Sequence, residues 1–494
     1  MAESTGNPGY VAIDIWETEC LIHRVPRKLR KVNESAYTPQ LVSIGPFHHG
    51  NNGDLREMES LKEKYYDDFR KRSEKIKKSD LEKAINECYE KLPNCYEGIF
   101  IKVENDRKEF EQMILRDACF IIELFLRNAE DEQEGGKRDC ILRTPWLRKA
   151  IKLDLILLEN QLPFFVLRKI FKVVKPYLPP VKIPKPKFDC SCNTTTSDHP
   201  VISCGFDCRT TSFTCCQVKK CSQKEDELTQ KPVEEEYNDP RVDPLLKLTR
   251  FFFEEHFLTE SGRRVKFDDI KEMKHFTDLL RIFWLPRENI KKLQPGGNIT
   301  ERKYLYSATK LDKAGVTFKP SRKGTSLTDA KISRTHFLKF VPGINCMLLK
   351  LPELKLENDT ECLLRNVMAL EQCLYPEEDY VCGYVALMDQ LINTREDVEF
   401  LVDKKILTNL LGSNKEAAKL INSLCNQIPR DKSCYAPLYN ELNKFYENRW
   451  NVTRATFKKV YFKDLWTGSS TVVGIFVLLF TVSATLKNVY FRHL

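Results

Sequence analysis

The stretch "IKLDLILLENQLPFFVL", residues 151–167, is too apolar for a protein surface, yet it carries Asp154, Glu159, Asn160 and Gln161. Read at 3.6 residues per turn, its leucines, isoleucines and phenylalanines cover the whole circumference, which predicts a buried core helix. Asp154 and Gln161, seven positions apart, share a face of that helix, whereas Glu159 and Asn160 point elsewhere. A two-carboxylate catalyst needs acids that converge on one substrate from separate supports. These acids diverge along one element. Buried polar groups still need partners, because leaving one unmade costs about 1–3 kcal/mol. The expected role is to cap neighbouring helix ends or bind basic side chains. Pro163 adds to that demand, since it removes a backbone donor and disturbs the turn before it.

The theme recurs along the chain. "RDACFIIELFL" places Asp117 and Glu123 in an oily helix, "NVMALEQC" does so with Glu371 and Gln372, and "ALMDQLINT" with Asp389 and Asn393. Together Asp117, Glu123, Asp154, Glu159, Asn160, Gln161, Glu371 and Gln372 are expected to form a structural polar network through a helical core. The competing reading is an acid–base hydrolase whose carboxylates, Glu159 and Glu371 among them, line one active site.

The whole chain is consistent with a helical globular body. Its 494 residues suffice for one large core or two ordinary ones, and 42% hydrophobic with 30% charged residues is a globular composition. The net charge of +9 is modest for this length. The clearest acid-free basic run, Arg168, Lys169, Lys172, Lys175, Lys182, Lys185 and Lys187, is broken by Pro176, Pro179, Pro180, Pro184 and Pro186. It cannot form a continuous recognition helix, and no nucleic-acid partner is expected.

Capping signals place several helices. Ser79 with Glu82 makes a capping box ahead of Leu81, Ile85, Cys88, Tyr89 and Leu92. Thr394 with Asp397 repeats it before "EDVEFLVDKKILTNLL"; Gly412 is expected to close that helix, and Ser413 with Glu416 to open the next. Short strands are expected in "AGVTFKP" and "CMLLKLPELKL". The fold class is therefore mainly α, a large helical body with a few short strands. The expected divisions are a tail (1–19), a first helical half (20–175), a Pro/Lys-rich and Cys-rich linker insert (176–243), a second helical half (244–464), a transmembrane helix (465–487) and a short tail (488–494).

From Leu465 to Leu486 no charged residue occurs over 22 positions, enough for a helix to span a bilayer. Trp466 stands at the interfacial position, and Val472, Val473, Ile475, Phe476, Val477, Leu478, Leu479, Phe480 and Leu486 are the expected lipid-facing residues. Arg454, Lys458, Lys459 and Lys463 precede the span. The N-terminus shows no basic start followed by an apolar block, so no leader is expected. These features predict a tail-anchored, single-pass protein with its bulk in the cytosol, the plasma membrane favoured over endomembranes. Membrane lipid and unidentified proteins are the expected partners. Eighteen cysteines fit a reducing setting, and the sequons at Asn33, Asn193, Asn298, Asn358 and Asn451 matter only in the reverse orientation.

Two clusters invite a chemical reading. Cys190, Cys192, Cys204, Cys208, Cys215, Cys216 and Cys221 lie near His199, but they are spaced C-x-C, C-x3-C and as an adjacent pair, with no C-x2-C. An unstructured insert is expected rather than a zinc site or a nucleic-acid module. In "SIGPFHHG", Gly45-Pro46 is a turn signal and the adjacent His48 and His49 diverge, so a structured loop packing Phe47 is expected. Nucleotide-loop, zinc-protease and nucleophile-elbow motifs are absent. No catalytic, cofactor-binding or metal residues and no cofactor are expected.

"VPRKLRKVNESAYTPQLVSIGPFHHG", "DACFIIELFL", "LDLILLENQLPFFVL", "ATKLDKAGVTFK", "LLRNVMALEQC" and "YFKDLW" before a terminal span together resemble the plant family called domain of unknown function 247. The resemblance runs from about Cys20 to the C-terminal span and skips much of Pro176–Asp243. It implies a mostly helical, single-pass membrane protein with no established enzymatic activity; some grass members are implicated in self-incompatibility recognition, which points to binding. The chain departs from the family pattern in its cysteine-rich insert, in Leu465 where a proline often precedes the tryptophan, and in a longer "HFLKFVPGINCMLLKLP".

Overall fold

A computed structural model describes residues 21–50, 55–99, 104–134, 139–178, 242–257, 267–285, 304–322, 325–336, 345–428, 434–461 and 465–490. The fold is mainly α, with few short strands. It divides into two compact units. The first comprises Met1–Pro26, Asn33–Leu258 and Arg264–Phe283; the second comprises Arg27–Val32, Thr259–Arg263 and Trp284–Leu494.

The first unit is organised by one long helix. Its helices are α1 (Arg56–Lys71), α2 (Lys78–Asn86), α3 (Glu104–Glu134), α4 (Pro145–Asp154), α5 (Phe164–Val174), α6 (Pro244–Phe257) and α7 (Phe276–Trp284). At 31 residues α3 runs about 46 Å. Ile114, Ala118, Cys119, Phe120, Ile121, Ile122, Leu124, Phe125 and Leu126 on it are fully buried. A helix apolar on every side must be covered on every side, and α1, α2, α5 and α6 all pack against it.

The stretch 151–167 is not the single helix its composition suggests. The helix α4 ends at Asp154 and α5 begins at Phe164, with a non-helical passage between them. Leu155, Ile156, Leu157, Leu158 and Leu162 in that passage are nonetheless buried. Pro163, at φ −58° and ψ 130°, is the residue that precedes α5, and it donates no hydrogen bond. Apolar content reported burial correctly; proline and the local bonding of Asn160 and Gln161 decided against helix.

Two further expectations change. The helix α2 starts two residues early, with Lys77 at its N-cap and no side-chain hydrogen bond there, so Ser79 and Glu82 lie inside it; Cys88 and Leu92 fall in turns beyond its end. The packing also does not divide at the insert. On α6, after the insert, Phe252 and Phe253 stack on Phe125 with ring centroids 4.7 and 5.9 Å away, and Phe276 lies 5.7 Å from the same ring. The expected second half beginning at 244 therefore contributes its first helices to the first unit. The cysteine cluster and His199 lie outside the described residues, within 179–241.

In the second unit α8 (Ala308–Lys313) precedes the strands β1 (Thr317–Pro320), β2 (Lys331–His336), β3 (Asn345–Leu351) and β4 (Leu354–Leu356). The first three form a sheet in the order β1-β3-β2, with β1 parallel and β2 antiparallel to β3. Phe318 and Ile332 both register on Leu349. Helices α9 (Thr360–Leu374), α10 (Tyr380–Leu391) and α11 (Arg395–Asp403) follow, then β5 (Leu407–Asn409) and α12 (Asn414–Leu424). The unit closes with α13 (Ala436–Glu447), α14 (Arg449–Tyr461) and α15 (Leu465–Tyr490). The strands expected in "AGVTFKP" and "CMLLKLPELKL" are β1, β3 and β4; β2 carried no clear signal.

The helix expected through "EDVEFLVDKKILTNLL" stops at Asp403, because Lys405 takes a left-handed φ of 56° and Leu407 then pairs in parallel with Leu354 as β5. Gly412 (φ +83°) consequently turns the chain out of a strand, and Ser413 caps α12 by accepting from the Glu416 amide at 3.2 Å. The box of Thr394 and Asp397 is formed as expected.

If α6 belongs to the first core, Phe252→Ala removes a ring that is 1% exposed and costs about 3–5 kcal/mol, despite lying beyond the insert. Urea unfolding followed by circular dichroism checks this; a loss below about 1 kcal/mol would show that α6 is peripheral.

Candidate functional site

The densest polar constellation surrounds residues 40–45, "QLVSIG". This segment is irregular and mostly buried, with Val42, Ser43 and Ile44 at or below 2% exposure, and among the described residues no strand pairs with it. Its backbone groups must be satisfied some other way. Asp154, the last residue of α4, accepts the Gln40 amide on Oδ1 at 2.9 Å and the Leu41 and Val42 amides on Oδ2 at 2.7 and 2.9 Å. Asn160 Oδ1 accepts the Ile44 amide at 2.6 Å, while its Nδ2 donates to the Val42 carbonyl at 2.9 Å. Asp117 Oδ2, from α3, accepts the Gly45 amide at 2.8 Å. Lys62 Nζ, from α1, donates to the Ser43 carbonyl at 2.8 Å and to Asp117 Oδ1 at 2.6 Å. Burial opposes charge on Lys62, but Asp117 and Glu59 outweigh it and hold the ammonium above its ordinary value.

The same side chains satisfy the buried passage between α4 and α5. Asn160 Nδ2 also donates to the Asp154 carbonyl at 2.9 Å, and Gln161 Nε2 donates to the Leu155 and Leu157 carbonyls at 2.7 and 2.8 Å. From α7, Thr277 Oγ1 donates to the Ile156 carbonyl at 2.7 Å, and the Phe276 amide donates to Gln161 Oε1 at 2.9 Å. Glu159 Oε1 accepts the Val25 amide at 2.6 Å, and His48 Nε2 lies 3.5 Å from its Oε2. Each of Asp154, Glu159, Asn160 and Gln161 thus binds main chain.

Neighbouring ionisable groups behave alike. His275 is buried, which lowers its pKa to about 4, so it is neutral. Its Nε2 donates to the Leu21 carbonyl at 3.1 Å, which leaves Nδ1 to accept the Asp278 amide. Glu123 is held by Arg72 and by Arg127, whose Nε donates at 2.7 Å. Arg127 Nη1 also donates to Asp139 Oδ2 at 2.8 Å, and the Tyr65 hydroxyl donates to the same oxygen at 2.6 Å. Burial opposes ionisation of Asp139, but these bonds and the Leu142 amide hold its carboxyl below the ordinary range.

In the second unit Glu371, fully buried on α9, accepts the Val381 and Cys382 amides at 3.1 and 2.9 Å and so caps α10. Gln372 is half-buried and donates along its own helix to the Met368 carbonyl at 3.5 Å. Asp397 accepts both the amide and the hydroxyl of Thr309, at 3.0 and 2.7 Å, besides closing its capping box. Glu159 and Glu371 belong to different units.

Sequence reasoning missed Lys62, Arg72, Arg127, Asp139, His275 and Thr277. Asp139 was findable: an Asp directly before "CILR" is an N-cap signal, and its Oδ1 accepts the Ile141 and Leu142 amides. Lys62 was not, because nothing local separates it from the solvated lysines of α1.

Among the described residues no three His, Cys, Asp or Glu side chains are grouped to hold a metal ion. In the "SIGPFHHG" loop Phe47 meets Tyr96 edge-on at 5.7 Å and carries the Arg24 guanidinium at 4.3 Å. A cavity of about 480 Å³ opens between α2 and α3, lined by Glu82, Asn86, Arg107, Lys108, Glu111 and Gln112 among others. None of Asp117, Glu123, Asp154, Glu159 and Glu371 lines it.

Of the expected anchor residues, Val473, Ile475, Phe476, Val477, Leu478, Leu479, Phe480 and Leu486 are all exposed on α15, Phe480 to 75%. Trp466 and Val472 lie on the same helix, but their side chains fall outside those described. Residues Ser469–Lys487 have a mean hydropathy of 2.0, long and apolar enough to cross a membrane. Thr481 and Thr485 donate their hydroxyls to the Val477 and Thr481 carbonyls at 2.7 Å, so their hydrogens are satisfied within the helix.

Two tests follow. Gly45 has φ +73°, and a Cβ there would stand 2.6 Å from the Gln161 carbonyl oxygen; at Gly50, with the same φ, nothing lies within 4 Å. Gly50→Ala should cost about 1–2 kcal/mol and Gly45→Ala distinctly more, and equal costs by urea unfolding would deny that the turn is clamped on Gln161. Burial pushes the Asp154 carboxyl up to about 6 from 3.8, against the opposing Gln40, Val42 and Leu41 amides. A raised carboxylate contributes stability that is complete below its unfolded pKa and is lost as pH rises through the folded one. The stability of the wild type relative to Asp154→Asn should therefore fall by about 2–3 kcal/mol between pH 4 and 6, and a flat difference would refute it.

No solved structure matches the chain. Two curated proteins of Arabidopsis thaliana do. The UPF0481 protein At3g47200 is 25% identical over 94% of this chain and 85% of its own length. The putative UPF0481 protein At3g02645 is 25% identical over 97% of this chain and 92% of its own. A plant protein family of unknown function, domain of unknown function 247, matches residues 22–480. Covering nearly the whole body and most of α15, that match shows that the chain belongs to the domain of unknown function 247 family of plants.

Proposed function

We propose that the protein is a membrane-anchored, non-catalytic recognition or signalling component whose helical body binds other proteins. One observation carries the reading: its buried carboxylates are committed to main-chain amides and cations. Asp154 holds three amides, Glu371 two, and Asp117 an amide and a lysine. A general acid or base must keep an oxygen within reach of a substrate proton, and these oxygens already have donors. The exposed apolar surface of α15 supports insertion in a bilayer. Arg449, Arg454, Lys458, Lys459 and Lys463 before it support a cytosolic body, since basic residues flanking a span favour that side. The plasma membrane is the favoured destination.

Sodium carbonate extraction of membranes should leave the full chain in the pellet, and protease added outside sealed cytosol-out vesicles should digest the body. Release into the supernatant would overturn the anchor; protection of the body would overturn the orientation. A Glu159→Gln/Glu371→Gln chain that stays folded should label the same neighbouring proteins in proximity labelling as the wild type. Hydrolysis of model ester, peptide or glycoside substrates by the wild type, abolished in that variant, would overturn the non-catalytic reading.

A further inference from the structure

The helix α14, "RWNVTRATFKKVY", separates the body of the second unit from α15 and carries no acidic residue. On one side it is docked. Ala455 packs against Gly315, where an added Cβ would come within 3.2 Å, and Asn451 Nδ2 donates to the Phe445 carbonyl at 2.9 Å. On the other side Trp450 is 81% exposed, Phe457 44% and Val460 56%. At about 100° per residue, positions 450, 457 and 460 fall within an arc of about 80°, and 449 and 454 border it on either side. The outward face is therefore an aromatic and aliphatic stripe edged by Arg449 and Arg454, with Lys458 and Lys459 also in the sequence.

Single exposed apolar residues need no explanation, but a stripe of three with an indole is another matter. Its charge selects among occupants. A helix bearing Arg449, Arg454, Lys458 and Lys459 and no carboxylate is repelled by basic surfaces and drawn to an anionic one. The helix is also in contact with α15, which is long and apolar enough to enter a bilayer. Aromatic stripes bordered by cations bind the boundary between headgroups and acyl chains, where the rings bury and the cations reach phosphate.

We propose that α14 is a membrane-surface helix, with Trp450, Phe457 and Val460 in the interfacial layer and Arg449 and Arg454 on anionic lipid headgroups. This rests on the membrane reading of α15 but is separable from it. The test uses the full chain, with Trp466→Phe to remove the neighbouring indole. It is reconstituted in phosphatidylcholine vesicles with or without about 30% phosphatidylserine, carrying lipids brominated near the headgroup. The Trp450 signal is the difference from the same chain with Trp450→Phe.

Bromolipid should quench that signal, more strongly with phosphatidylserine, and added salt should weaken the phosphatidylserine effect. An unquenched Trp450 in a chain that resists carbonate overturns the surface helix and leaves the anchor standing. A chain that carbonate extracts overturns the anchor; the surface helix then stands if the chain still floats with phosphatidylserine vesicles about tenfold better than a folded Trp450→Ser/Phe457→Ser chain. Concentration-dependent shielding of Trp450 in detergent without anionic lipid would assign the face to a second copy and overturn the proposal. Circular dichroism verifies that the double variant is folded.

Discussion

Five main-chain amides of one mostly buried, irregular segment donate to three side chains, Asp154, Asn160 and Asp117. On this capture the rest of the first unit depends. An irregular segment inside a helical body has no ladder or helix of its own to pair its backbone, and each amide left bare in the core costs about 1–3 kcal/mol. Carboxylates and a carboxamide pair it instead. Because they come from the end of α4, the passage after it and the centre of α3, satisfying the segment also fixes where those elements sit. Lys62 adds α1 to the same arrangement by bonding both Asp117 and the Ser43 carbonyl. The cost is a set of groups that can neither be lost singly nor moved freely, since removing one partner strands the others.

The second unit uses the device more locally. Glu371 caps α10 from α9, Asp397 receives Thr309 at the start of α8, and Asn443 bonds the Tyr306 amide and the Tyr304 carbonyl at 3.3 and 2.7 Å. In each case a polar side chain on one helix completes the backbone of another segment. Functional chemistry and structural chemistry draw on the same residue types, and what separates them is the destination of the lone pairs. Here the destinations are peptide N–H groups, hydroxyls and guanidinium or ammonium cations. The cavity between α2 and α3 is bordered by other residues entirely.

The outer face of α14 and all of α15 invert this economy. Inside the body the carboxylates Asp117, Asp154 and Glu371 are matched by amides and a lysine; along α15 apolar side chains stand exposed and the Thr481 and Thr485 hydroxyls are turned back onto the helix. Such a surface is stable where the surroundings are themselves apolar. A helix whose own polar hydrogens are internally satisfied is a structure that a bilayer tolerates.

Much of this was legible in one dimension. Helical class, the family, the apolar stretch ending in α15, the box at Thr394 and Asp397 and the cap at Ser413 all follow from spacing or from residue types within a few positions of each other. Burial of residues 151–167 was legible too, from composition. What composition could not convey was conformation: Pro163, with Asn160 and Gln161 bonding nearby carbonyls, makes a buried loop where periodicity reads a helix. Nor could the chain announce that α6 returns past the insert to stack on Phe125, or that Lys62 is buried. By itself the sequence determined which apolar stretches must leave water and where the helices after Thr394 and Ser413 begin, because hydrophobicity and caps are local properties. Only the tertiary structure decided which amides Asp154 and Gln161 receive, because Asp154 with Gln40 and Gln161 with Phe276 lie more than a hundred residues apart. Partners so distant leave no spacing to read.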